Sequence, residues 1–270
     1  MTLRAAGLSL FFMLIFTAIG WLIGVIVGMI FRTANVMLWA FVFFLLSALM
    51  IAIGHFYAPR IILSRYKAKT SENKELNDMV DRMAVNAKIE TPKVYIAPLG
   101  VPNSFVTGRG REDAAVCVTE GLLSLNKGEI ENVVAHEIWH IANGDLPSQN
   151  LAVIIADVLY HTVIFIPLAI FVVKITLSGR REFRADYYAT RYSKKPRDMA
   201  SALNKMSETA RQTPIGGSPA MESLWVVNPF KREGLGRWLS THPPTARRAK
   251  RVEDMAHEGM PEAPEATEVD

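Results

Sequence analysis

The sequence predicts an α+β protein: a helical membrane hairpin followed by a mainly helical domain with a small antiparallel or mixed sheet. Three observations carry this. Two long apolar stretches open the chain, three short strand-like runs lie between residues 94 and 118, and helical hydrophobic spacing fills most of the rest.

Half of the 270 residues are hydrophobic and 21% are charged, below the roughly 25% of an ordinary soluble domain. The deficit is local, because residues 5–31 and 33–58 contain no Asp, Glu, Lys or Arg. Each stretch exceeds the roughly 20 residues a helix needs to cross a bilayer core. A cleaved signal peptide would have an apolar region of only about 7–15 residues; here a second span begins directly after Arg32. Gly20, Gly24 and Gly28 recur at four-residue spacing, which lets membrane helices approach closely, so this face is expected to pack on the second span. Arg4 precedes the first span, Arg32 lies in the connection, and Arg60, Arg65, Lys67 and Lys69 follow the second. The positive-inside rule places both termini and everything after Arg60 in the cytoplasm. The expectation is a multi-pass protein of the cell (inner or plasma) membrane.

From Thr70 the composition is that of a soluble domain. Leu76, Met79, Val80 and Met83 predict a helix over 71–88. Strands are expected at Val94–Ile96, Ser104–Val106 and Ala115–Val118, separated by Pro- and Gly-containing turns. Asn126, three residues before Glu129, predicts the cap of a helix that ends near Gly144. Residues 151–173 form a third apolar run interrupted by Asp157 and His161, and a further helix is expected over roughly 180–210. The domains expected are thus a hairpin over 1–60, a second domain over 61–252 that includes the apolar segment 151–173, and a disordered acidic tail over 253–270. The single cysteine, Cys117, excludes an intramolecular disulfide framework and a cysteine-rich metal knuckle, and its apolar neighbours predict a buried thiol. No basic run interleaved with aromatics suggests nucleic acid as a partner.

The chemistry is concentrated in His136-Glu137-Ile138-Trp139-His140. Residues four apart share a helical face, so both imidazoles can reach one metal ion, expected to be a single Zn2+. Glu137 emerges beside them, where it can accept a proton from the attacking water. A catalytic zinc site usually has three protein ligands, and position 146 is Leu, so no histidine follows at the six-residue extension. A downstream carboxylate must serve. Glu182 is the candidate, with Asp186 one turn on placed to accept the far N–H of a histidine ligand. The alternative for Glu182 and Asp186 is a solvated charged face paired with Arg181 and Arg184.

Four segments in this order, HEIWHIANGD (136–145) preceded by NSFVTG (103–108) and followed by EFRAD (182–186) and STHPP (240–244), together with the amino-terminal hairpin, resemble the HtpX family of membrane zinc peptidases. More distantly the chain is similar to the zinc-dependent CAAX prenyl proteases. The resemblance covers residues 5–252 and implies that His136, His140 and Glu182 bind zinc and that Glu137 is the general base. It further implies that Asn103 and His242 bind or polarise the scissile carbonyl, that Arg248 buttresses the site, and that a substrate adds as an extended strand beside Asn103. Gly179 and Phe183 stand where the family often has arginine and tyrosine; neither change removes a ligand. The activity implied is an endopeptidase acting on membrane-associated or misfolded proteins in quality control, with peptides and the bilayer as its partners. A dedicated protease for a prenylated tail is disfavoured by having only two spans, and a non-catalytic scaffold has no need of Glu137.

Because His140 and Glu182 must meet at one ion, the run between them must cross the membrane an even number of times or not at all. Its 23 residues are too few for two crossings. Residues 151–173 are therefore expected to form a re-entrant or interfacial helical hairpin bent near Pro167, with Asp157 and His161 pairing or facing a wet cavity.

Overall fold

The computed structural model of the chain describes residues 2–32, 35–161, 165–231 and 242–258. Two helices, α1 (Leu3–Phe31) and α2 (Val36–Phe56), are long and apolar enough to cross a membrane. Their contact follows from the glycines. A Cβ on Gly20 would stand 2.6 Å from Phe43 Cβ, and one on Gly24 would stand 2.9 Å from Val36 Cα, so larger side chains would push α2 away. Leu10, Trp21, Phe31, Met37 and Phe41 point outward and are exposed, as a lipid-facing surface requires.

A short helix, α3 (Ala58–Arg65), leads into a four-stranded sheet of β1 (Lys69–Thr70), β2 (Lys93–Ala97), β3 (Ser104–Gly108) and β4 (Ala114–Thr119). The sheet order is β1-β2-β4-β3, with β2 and β4 parallel and the outer pairs antiparallel. The mixed sheet expected is present; the two-residue β1 was too short to leave a period-two signal. Between β1 and β2 runs α4 (Lys74–Asn86), capped by Asn73 Oδ1 accepting from Leu76 N.

Helix α5 (Lys127–Ala142) begins in a full capping box, with Asn126 and Glu129 each bonding the other's backbone N–H. It is followed by α6 (Leu146–His161) and α7 (Ile166–Thr176), which pack on one another as a hairpin with Pro167 in the first turn of α7. Residues 162–164, between the two, lie outside the described residues. The single helix expected over 180–210 is instead α8 (Gly179–Ser193) and α9 (Pro196–Gln212). Lys194 takes a left-handed φ of 56°, and Pro196 disfavours helical conformation in the residue before it. Helix α10 (Thr245–Glu258) reaches into the segment expected to be the tail, whose remaining residues, 259–270, are outside those described.

Leu8, Phe12 and Phe16 of α1 share a buried cluster with Ile62, Phe105, Cys117, α6, α7 and Trp225. The amino-terminal helix is thereby built into the domain's core. Cys117 is fully buried and its thiol is pushed well above its usual range by that burial. Asp157 takes a different main partner from the one expected, accepting from Arg65 of α3 at 2.8 Å. His161 Nδ1 lies 2.7 Å from the Asp157 carbonyl oxygen and 3.8 Å from its carboxylate.

Candidate active site

Helix α5 is pinned between the sheet and α8, and this brings three donors together. His136 and His140 project from one face of α5, and their Nε2 atoms lie 3.2 Å apart. Glu182, in the first turn of α8, places its oxygens 3.5 Å from His136 Nε2 and 3.7 Å from His140 Nε2. All three residues are buried, and one donor atom from each falls within 4.8 Å of the others.

The tautomers follow from the partners. His136 Nδ1 donates to Asp186 Oδ1 at 3.0 Å, and His140 Nδ1 donates to Asp145 Oδ2 at 2.9 Å. With a metal ion bound, each ring would be neutral and would direct its Nε2 lone pair at the ion. Glu182 Oε2 is buried and makes no hydrogen bond among the described residues. Glu182 Oε2 also faces the Arg248 Nη1 at 3.5 Å, and the two Nε2 atoms and the carboxylate converge on a space that a metal cation can occupy. Ligands held 2.0–2.1 Å from a zinc ion at tetrahedral angles stand roughly 3.3–3.4 Å apart, close to the observed separations. The donor set fits a zinc ion.

Carboxylates and arginines brace this cluster. Arg248 of α10, 1% exposed, grips Asp186 through Nε and Nη2 at 2.8 and 2.7 Å and donates from Nη1 to Val226 O at 2.6 Å. Asp145 accepts from Asn143 Nδ2 at 2.8 Å and faces Arg181 Nη1 at 3.7 Å. Burial opposes ionisation of Asp186 and Asp145, yet Arg248 in the first case and His140 and Arg181 in the second hold both carboxyls below their usual range. Burial likewise opposes a charge on His136, but Asp186 and Glu182 outweigh it and raise the imidazole to about 9. For His140, burial wins and the pKa falls.

Glu137 is 1% exposed. Burial raises its carboxyl to about 7, opposed chiefly by His136 and by Ser104, whose hydroxyl donates to Glu137 Oε1 at 2.7 Å. His242 Nδ1 stands 3.2 Å from Glu182 Oε2, out of hydrogen-bonding alignment. Burial opposes the Glu182 charge too, but the neighbouring histidines, His242 first, hold its carboxyl well below the usual range.

Asn103 faces elsewhere. Its Nδ2 donates to Val227 O at 2.6 Å, and its Oδ1 accepts from Ser104 N and Val227 N at 3.0 and 3.3 Å. Phe105 bridges Trp225 antiparallel, and Val226 N donates to Ser104 O at 3.2 Å. The start of the β3 edge, where a substrate strand was expected, is therefore covered by the chain's own Trp225–Val227. Sequence reasoning missed Asp145 and Ser104 as partners of the site. Asp145 follows Gly144, whose φ of +73° turns the chain back beneath His140, so the Asn-Gly-Asp after the helix was a usable signal. Ser104 carried none beyond its place in a strand.

Comparison with known proteins agrees with this geometry. The model of peptidase family M48 matches residues 70–256. The protein named Protease HtpX homolog of Pyrococcus abyssi is 35% identical, the match covering 95% of this chain and 96% of that one. The homologue of Salinibacter ruber is 31% identical over 94% of this chain and 98% of its own, and that of Gemmatimonas aurantiaca is 34% identical over 78% and 88%. At these identities and coverages the chain belongs to peptidase family M48 and, within it, to the HtpX group of membrane metalloproteases.

Proposed function

We propose that the chain is a zinc-dependent endopeptidase that hydrolyses peptide bonds of membrane-associated or misfolded proteins, a quality-control role. The observation that carries the chemistry is the convergence of the His136 and His140 Nε2 atoms on the Glu182 carboxylate, with Glu137 alongside. In this reading His136, His140 and Glu182 hold one zinc ion, which when bound polarises the scissile carbonyl and acidifies the attacking water. Glu137 accepts that water's proton on its carboxylate and delivers it to the leaving amine. Ser104 orients the carboxylate, while Asp186, Arg248 and Asp145 fix the two imidazoles. In this reading His242, 3.2 Å from Glu182 Oε2, meets the carbonyl oxygen. For Asn103 to do so, and for a substrate strand to add to β3, Trp225–Val227 would have to be displaced. The test is cleavage of unfolded casein and of a destabilised membrane protein by the full chain in detergent. Cleavage that stops on chelation and returns with zinc is expected; chelator-resistant cleavage would refute the zinc mechanism.

The pH profile offers a finer check. A base works ionised, so kcat/KM rises with pH through the Glu137 pKa. A cation beside the carboxylate favours the ionised form, placing the acid limb below the value of about 7. Ser104→Ala removes a hydrogen bond to the charged form. The acid limb should then move up by about one pH unit, given the strength of hydrogen bonds to charged groups and the free energy per unit of pKa. An unmoved limb would separate Ser104 from the base.

For topology we propose a two-span hairpin over 1–60, with the domain over 61–252, both termini and the active site in the cytoplasm, and α6–α7 not crossing. In a Cys117→Ser background, Asn35→Cys should react with an impermeant thiol reagent only from outside the cell, and Lys69→Cys only from inside. Labelling of both from one side would overturn the hairpin.

A further inference from the structure

The second apolar helix ends over a hollow in the domain that follows it. Phe56 and Tyr57 at the end of α2, Arg60 and Leu63 of α3, and Lys93 of β2 line one cavity of about 420 Å³. Strand register leaves its floor open, because Lys93 lies opposite Ala115 of β4, whose methyl group is the smallest side chain that β4 could offer there short of glycine. Phe56 and Tyr57 are 57% and 52% exposed, so the aromatic side of the cavity continues onto the outer surface at the end of α2.

Charge in the cavity is one-sided. Its lining holds a single carboxylate, Asp113, and Arg109 already pairs with it. The side chains of Arg60 and Lys93 have no ion pair or hydrogen bond among the described residues. They enter from different walls, Arg60 from the first turn of α3 and Lys93 from the first residue of β2. An anion seated in the cavity therefore meets a guanidinium and an ammonium that nothing else in the protein engages.

Two exposed cations in plain water need no partner. These two share a cavity with aromatic rings at the end of an apolar helix, where a bilayer's headgroups and their aromatic belt meet. Free phosphate would answer Arg60 and Lys93 but leave Phe56 and Tyr57 uncovered. A lipid without net charge would cover the rings and leave the surplus positive charge unmatched. We infer that the cavity binds the phosphate headgroup of an anionic glycerophospholipid, whose acyl chains lie along α2. Arginine suits the role because its planar fork pairs two donors with phosphate oxygens, and lysine adds a compact charge beside it. Such binding requires α2 to be a membrane helix whose Tyr57 end meets the cytoplasmic headgroup layer, as in the topology proposed above.

Full-length protein in neutral detergent would be titrated with phosphatidylglycerol or phosphatidylcholine, and bound lipid read by native mass spectrometry. The wild type is expected to retain phosphatidylglycerol in preference to phosphatidylcholine. Arg60→Ala with Lys93→Ala should weaken phosphatidylglycerol binding about 30-fold, given the typical contribution of each cation near an anionic headgroup. The charge-keeping pair Arg60→Lys with Lys93→Arg should retain most of the binding, and zinc content should be unchanged in both. Lys74→Ala with Arg82→Ala removes the same charge from exposed positions of α4 outside the cavity. That pair should stay within about threefold of wild type, because solvent and salt screen charges that do not touch the ligand. Equal retention of the two lipids, or equal losses from both alanine pairs, would overturn the inference. So would full displacement of the lipid by equimolar inorganic phosphate, which would reduce the site to an anion pocket. The topology stands or falls by cysteine labelling and the lipid site by retention, so failure of one is distinguishable from failure of the other.

Discussion

Glu137→Gln is expected to keep its metal and lose turnover by a factor of at least about 10²–10⁴, the usual contribution of a positioned general base. The substitution is nearly isosteric, so the fully packed surroundings of a residue 1% exposed need not rearrange. The Ser104 hydroxyl, now 2.7 Å from Oε1, can donate to the amide oxygen as it does to the carboxylate. Glu137 is outside the three-donor cluster of His136, His140 and Glu182, so metal affinity should survive. What the amide cannot do is accept a proton. Metal content and peptide cleavage measured on one preparation separate these effects. Cleavage within tenfold of wild type would remove Glu137 from the base role.

Much of the site was legible because its local part is periodic. Four-residue spacing put His136 and His140 on one face, and the same spacing related Glu182 to Asp186. Asp186 does hold His136 Nδ1. The capping box at Asn126 and the three longer strands were equally local signals. The parts that were not read are long-range. Asp157 was expected to pair with His161 four residues along or to face a wet cavity; it stands 3.8 Å from His161, but its nearer partner is Arg65, reached because α3 packs on α6. Ser104 meets Glu137 across 33 residues of chain, and Asn103 meets Val227 across 124; no periodicity encodes either pairing. The break between α8 and α9 is different. Pro196 was in plain view, and the apolar spacing on both sides masked the interruption that Lys194 and Pro196 impose.

The cluster's dependence on Glu182 sets the second large effect. Glu182→Ala leaves two imidazole donors where three converge. At submicromolar free zinc the variant is expected to purify without metal and without activity. Asp186→Asn provides the contrast, since it keeps all three donors while disturbing the hydrogen bond that orients His136 and the pair with Arg248. Its metal affinity should fall about 10–100-fold, the usual cost of losing such a supporting partner. It should also unfold more readily, because Arg248, 1% exposed, would lose its two-pronged carboxylate; breaking a buried pair from one side typically costs about 3–5 kcal/mol. Asp186→Asn combined with Arg248→Met should recover much of that stability without restoring metal affinity. Zinc titration by competition with a chromogenic chelator, and thermal unfolding of the metal-free proteins, read the two effects independently. Full zinc occupancy in Glu182→Ala under these conditions would take Glu182 out of the ligand set and leave the two histidines in need of another third partner.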